Sequence, residues 1–170
     1  IPYDPETVDN YELGFKSEWM DQRLRLNGAV FYMDYQDKQE EIGLPSDGAT
    51  GQRLSVFNAA DATMQGVELE MQAIVTEALS VRANLGYHDS KYDDFTFDSG
   101  LGIVDNSGLE FRRAPEFTGS IDATYEWQMG GGDAWVRGSY RFLGEHFIEQ
   151  TNRPELENDD QHLVDLSVNY

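Results

Sequence analysis

The sequence predicts an all-β chain, an antiparallel up-and-down transmembrane β-barrel segment of about seven strands. Three observations predict it. Apolar and polar residues alternate strictly in run after run, and a period of two sends successive side chains to opposite faces of a strand. The runs are mostly about 9 residues or longer, the length a tilted membrane strand needs, whereas globular strands average about 5 to 6. The connections alternate short and long, as in membrane barrels, which keep tight turns on one side and long loops on the other.

The first strand spans about residues 8–19, with Tyr11, Leu13, Phe15 and Trp19 on one face and Glu12, Gly14, Lys16 and Glu18 on the other. After a short turn at Met20, Asp21 and Gln22, the second covers about 23–37, setting Leu24, Leu26, Gly28, Val30 and Tyr32 against Arg23, Arg25, Asn27 and Ala29. Its stretch 31–35 is apolar or aromatic on both faces, the pattern of a thickened rim or of a wall covered from inside. Residues 40–53 read as a loop by their Gly, Pro, Ser and Asp.

The third strand covers about 64–75, with Val67, Leu69, Met71 and Ala73 opposing Glu68, Glu70 and Gln72. Met64, Val67, Met71, Ile74 and Ala78 also fall at helical spacing, so both readings stay open here, and the flanking strands favour strand. The clearest alternation follows a tight connection at 76–78. Leu79, Val81, Ala83, Leu85 and Tyr87 share one face, and Ser80, Arg82, Asn84, Gly86 and His88 the other, in a strand reaching about Tyr92.

A long acidic segment runs to about Ala114. The fifth strand, about 115–127, opposes Phe117, Gly119, Ile121, Ala123, Tyr125 and Trp127 to Thr118, Ser120, Asp122, Thr124 and Glu126. A Gly-rich turn at 129–133 leads to the sixth, about 134–147, with Ala134, Val136, Gly138, Tyr140 and Phe142 opposite Arg137, Ser139 and Arg141. After a polar loop the seventh, 163–170, sets Val164, Leu166, Val168 and Tyr170 against Asp165, Ser167 and Asn169.

Trp19 precedes one short turn, and Trp127 and Trp135 flank another, so all three lie at one end of the sheet. Trp favours the membrane–water interface, where its ring is buried and its N–H stays wet. They are the expected membrane-interface aromatics. Acids crowd the long connections and avoid the apolar faces, where a charge is costly in lipid.

Composition excludes several classes. Net charge is -20, from 32 acidic and 12 basic residues, which argues against nucleic acid as a partner and against a polybasic surface helix on anionic lipid. The 39% hydrophobic and 12% aromatic content is too high for disorder. Cysteine is absent, which excludes disulfides and thiolate metal sites. No stretch approaches the roughly 20 apolar residues of a membrane helix, and a mean hydropathy of -0.58 is compatible with a barrel because half of each strand is polar. The chain opens on Ile1 with no charged-then-apolar leader, as expected of a processed or partial chain.

Taken together, these residues resemble the C-terminal part of the barrel of TonB-dependent outer-membrane receptors. Pro5-Glu6-Thr7-Val8-Asp9-Asn10-Tyr11-Glu12-Leu13-Gly14-Phe15-Lys16 is similar to that family's strand opening. Leu26-Asn27-Gly28-Ala29-Val30-Phe31-Tyr32-Met33-Asp34-Tyr35-Gln36-Asp37 is similar to the strand after it. Asn58-Ala59-Ala60 followed by Gly66-Val67-Glu68-Leu69-Glu70, and Leu163-Val164-Asp165-Leu166-Ser167-Val168-Asn169-Tyr170, resemble later stretches. The resemblance implies about a third of a barrel of about 22 strands closed around an N-terminal plug. The plug and the last strands are then expected outside residues 1–170, a single partial barrel domain. It also implies the outer membrane of a Gram-negative bacterium as location. Its implied partners are outer-membrane lipid, the chain's own plug, the TonB energy-transducing complex and a small ligand such as a ferric siderophore.

No catalytic constellation is present, so the chain reads as no enzyme, and nothing in it calls for a cofactor. His88, His146 and His162 lie on separate elements without metal-ligand spacing. Glu68, Glu70, Arg82, Asn84 and His88 are expected to face the lumen. Arg112 and Arg113 stand out in an acidic segment, and with His146 they are the ligand-contact candidates of the outer loops. An ion pair of Arg112-Arg113 with Asp105 or Glu110 is the plainer expectation. Three functions fit: active uptake of a scarce ligand, a passive porin or adhesin barrel, and a soluble acidic β-sandwich binding module.

Overall fold

The computed structural model describes residues 3–45 and 52–170. Among the described residues the chain forms ten strands: β1 (Thr7–Trp19), β2 (Leu24–Pro45), β3 (Gln52–Ile74), β4 (Leu79–Asp98), β5 (Ile103–Asp105), β6 (Phe117–Met129), β7 (Gly132–Leu143), β8 (His146–Phe147), β9 (Glu157–Asn158) and β10 (Gln161–Asn169). One sheet runs β1-β2-β3-β4-β6-β7-β10, every pairing antiparallel, with β5 folded back onto β4 and β8 pairing β9. A single 3₁₀ turn, Pro154–Leu156, interrupts the last long connection. The seven expected strands are thus the seven of the main sheet. The segment around 64–74 is strand, because ladders on both sides satisfy its backbone and override its helical spacing.

Three tight turns join strands at one end. At Met20, Asp21 and Gln22 three successive non-glycine residues take φ near +55 to +66, the mirrored conformation that matches the twist of paired strands in a tight hairpin. Gly130 and Gly131, at φ 61 and 90, do the same between β6 and β7. Between β3 and β4, the Thr76 hydroxyl accepts from the Ala78 and Leu79 amides.

Register carries the alternation coherently across the sheet. Leu13, Val30, Val67, Tyr87 and Phe117 form one apolar row. On the other face, Glu18, Arg25, Gln72, Arg82, Asp122, Ser139 and Asp165 form a row of charged and polar side chains. The Arg25–Glu18, Arg137–Asp122 and Arg141–Asp165 ion pairs bind that side. The apolar face is uncovered: Leu13, Leu85 and Val164 are 76%, 51% and 78% exposed. A contiguous apolar surface of this extent needs an apolar phase against it. Among the described residues no second sheet packs on this face, as a soluble sandwich would require.

Several strand boundaries depart from expectation. Residues 40–53 are not a loop in their described part: β2 continues to Pro45, and β3 starts at Gln52. β4 likewise passes Tyr92 and reaches Asp98. These strands have 22, 23 and 20 residues, about twice the 9–11 a crossing requires. Bulges at Tyr35/Lys38 and Asp61/Ala62 mark where the regular ladder gives way to the extension. Conversely, β7 stops at Leu143, and His146 and Phe147 belong to the small β8–β9 pair.

The buried core lies at the long-connection end, on the polar side of the wall. Ile42, Ala60, Ala62, Tyr92, Phe95 and Phe111 form it, with Tyr35, Leu44, Phe57, Met64, Phe97 and Leu109 against them.

Candidate functional site

The stretch 31–35 with two apolar faces is a wall covered from inside. Register sets Phe31, Met33 and Tyr35 on the polar side, in the rows of Gly66, Met64 and Ala62. Residues 106–114 fold back over the upper part of that side. The amide of Asn106 donates to Phe95, that of Tyr92 to Leu109 and that of Gly108 to Tyr92. Phe111 packs edge-on to Tyr35 at 6.3 Å and tilted on Tyr92 at 4.8 Å. Lower on the same side, Phe31 meets His88 edge-on at 5.6 Å.

Within this core sits Glu40, 2% exposed. A buried carboxylate persists only with partners, and Glu40 has three. Tyr92 donates its hydroxyl to Oε1 at 2.7 Å, Lys38 binds the same oxygen, and Arg112 lies 3.7 Å from Oε2. Lys38 also stands 5.1 Å over the Phe111 ring, a cation–π contact. Burial, and then the Glu40 carboxylate, push the Tyr92 hydroxyl well above the ordinary tyrosine range. This cluster escaped sequence reasoning because 40–53 read as a loop, although Lys38, Glu40 and Ile42 already stand two apart.

Arg112 therefore pairs with Glu40 of the β2 extension, not with Asp105 or Glu110 as expected. The order of residues 106–114 along β4 lays Phe111 into the core and brings the next side chain to the buried carboxylate. Arg113 has φ 57 and donates its backbone amide to Phe147, leaving its side chain exposed. His146 is buried, with Nδ1 at 3.0 Å from the Gly144 carbonyl and Nε2 at 3.3 Å from Asn158 Nδ2. The three ligand-contact candidates do not converge. His146 borders a cavity of about 460 Å³ with Phe117, Phe142, Glu110, Glu116 and Glu157. Burial, and then Glu116, hold the Glu110 carboxyl above the usual range.

On the lower wall, Glu68, Glu70, Arg82, Asn84 and His88 fall on the polar side. Glu70 accepts from Asn27 and Gln72, each at 2.9 Å, and Asn84 donates to Ser120 at 3.1 Å. His88 stands 3.8 Å from Glu68. His162 is on the opposite, apolar face, 2.8 Å from the Tyr140 hydroxyl. Among the described residues, no group of three His, Asp or Glu side chains is arranged to hold a metal ion.

The tryptophans divide. Trp19 and Trp127 lie on the apolar face beside short turns, in the rows of Leu24 and Ala134. Trp135 pairs with Glu126, which places it on the polar side, where it borders a cavity of about 280 Å³ with Arg82 and Arg137. Its grouping with the other two as an interface aromatic fails on register: one residue's offset is a change of face.

A family model described as TonB dependent receptor-like, beta-barrel matches residues 2–170. The ferripyoverdine receptor of Pseudomonas aeruginosa is 25% identical over 171 residues, covering 98% of this chain and 20% of that receptor. The metal-pseudopaline receptor of the same species is 27% identical over 137 residues, covering 81% and 17%. The solved structure of the ferric yersiniabactin uptake receptor from Yersinia pestis matches with a TM-score of 0.73 at 25% identity, over 96% of this chain and 22% of that one. The chain spans about a fifth of the length of the relatives it matches, or less.

Proposed function

Because this chain belongs to the TonB-dependent receptor-like β-barrel family, whose members are transport receptors and not enzymes, we propose that the full-length protein actively takes up a scarce ligand. A ferric siderophore or related metal chelate is the ligand class, and the TonB system supplies the energy. In this reading the protein sits in the outer membrane of a Gram-negative bacterium, its apolar face in lipid and its short turns in the periplasm. The aromatic extension and the clustered loops face outside. A plug encoded upstream fills the space against the polar wall. One observation carries the reading: a single sheet with one uncovered apolar face and one charged, hydrogen-bonded face, its long connections folded inward over the polar side. The receptors it resembles, by their names, take ferripyoverdine and metal-pseudopaline.

The test is uptake of radiolabelled iron in the producing strain under iron starvation. Deleting the gene should abolish uptake of at least one ferric siderophore, and restoring the full gene should return it. Restoring it without the segment upstream of this domain should not. If deletion leaves uptake unchanged and the purified protein conducts ions in a planar bilayer without ligand, the passive porin is the better reading.

A further inference from the structure

Three outer elements, the described ends of β2 and β3, the β4–β6 connection and the β7–β10 connection, are tied to one another by side chains, not merely adjacent. Phe111 and Arg112, in the connection between β4 and β6, engage the β2–β3 extension through Tyr35 and Glu40. Asn152, in the connection between β7 and β10, grips the same segment from the other side. Its Oδ1 accepts from the Glu110 amide at 2.6 Å, and its Nδ2 donates to the Glu110 carbonyl at 3.1 Å. One carboxamide thus satisfies both backbone groups of a residue 42 positions away, as a neighbouring strand would. Asn152 does so at φ 45, a left-handed conformation that asparagine tolerates better than most residues. Gln150 Nε2 donates to the Glu41 carbonyl at 2.7 Å, and the Arg113 amide to that of Phe147 at 2.7 Å, closing the circuit among the three.

We propose that these three elements open and close as one cooperative unit, with Asn152 the residue that couples the β7–β10 connection to the other two. Independently anchored loops open separately at low free energy, whereas a segment clasped on both sides opens only when its neighbours do. A ligand arriving at this sector meets a preformed wall, and the ordering cost of capture is met in folding rather than on binding. The inference is independent of which ligand the protein takes.

Hydrogen exchange on the full-length protein in detergent micelles tests it. In Asn152→Ala, exchange should rise about tenfold or more at Tyr92, Asn106 and Gly108 as well as at Glu110. The acceptors of those three amides, Leu109, Phe95 and Tyr92, are untouched by the substitution. Phe111→Ala should reciprocally speed exchange at Ile148 and Leu156, whose partners lie in the β7–β10 connection. Asn152→Asp, which keeps the acceptor and loses the donor, should fall between, and Asp159→Asn should change nothing. Retained heat-modifiable mobility on gels shows the barrel folded in each variant. If Asn152→Ala itself does not fold, Asn152→Asp carries the test. Acceleration confined to Glu110 in the Asn152 variants, and to residues 106–114 in Phe111→Ala, would overturn the proposal.

Discussion

The Arg23 guanidinium, which opens the second crossing, donates from Nη2 to the Val75 carbonyl at 2.8 Å and so fastens one short turn to the next. Its Nε reaches the Ile74 carbonyl at 3.1 Å. These carbonyls lie where the ladder ends and would otherwise rely on water. Arg23→Ala should lower the urea-unfolding free energy of the full-length protein by about 1 kcal/mol, kept small by exposure to water. Arg23→Lys, a single point charge without the fork, should recover only part of it.

The assignment of faces is testable at two consecutive residues. Leu85 lies on the apolar face and Asn84 on the polar one. Leu85→Arg should cost roughly 2 to 4 kcal/mol if its row lies near the bilayer midplane. Asn84→Arg should cost less, because Asn84 faces the polar side and hydrogen-bonds Ser120 there. Equal defects in vesicle-refolding yield would mean the faces are wrongly assigned.

Gly66 should be irreplaceable. A Cβ there would stand 2.3 Å from the Tyr87 carbonyl oxygen and 2.7 Å from the Phe31 ring. The ring is the far end of a side chain and can shift, whereas the backbone oxygen is held in the ladder. Gly66→Ala should therefore destabilise the protein by about 1 to 3 kcal/mol, and Phe31→Ala in the same chain should recover little of it.

Alkaline unfolding should depend on Tyr92. Burial and Glu40 keep its hydroxyl protonated in the fold above its ordinary value of about 10. The folded state therefore binds the proton more tightly than the unfolded chain does. The associated stability is complete below about pH 10 and is lost as pH rises beyond it. Tyr92→Phe should flatten that part of the pH–stability curve, while costing about 1 to 3 kcal/mol at neutral pH for the donor taken from buried Glu40.

Glu110 should behave in the opposite sense to a paired acid. Burial, and then Glu116, raise its pKa in the fold. Its ionisation therefore opposes folding as pH climbs from the ordinary carboxylate range through the raised value. Glu110→Gln should slow hydrogen exchange in residues 106–114 at pH 7 and make no difference at pH 4. A variant that loosens the segment at pH 7 would contradict this.

The main-sheet strands were legible because one apolar face and one polar face write a period of two into each. Residues 79–87 show it without exception. The extensions were not legible, because beyond the bulges near Asp37 and Asp61 both faces meet protein or water and the pattern dissolves. Lys38, Glu40 and Ile42 keep the spacing of a strand, but with charge on the buried side, and Lys38, Tyr92 and Arg112 together make the Glu40 charge tolerable. Arg112 was visible as an outlier, whereas its partner was not, since 72 residues separate them and no local pattern joins them. Trp135 failed for a different reason: its nearness to a turn was read correctly, but its face depends on register.

The unbroken neighbour order from β1 to β10 also bears on how the protein assembles. Every rung of the main sheet pairs strands that follow one another along it, and three of the six pairings close through turns of only a few residues. Those three hairpins can zip from their turns with little loop-closure entropy. The β4–β6 and β7–β10 pairings must wait for long polar segments to cross or fold. Insertion should thus proceed as hairpins merging in pairs, with the aromatic core around Phe111 setting last.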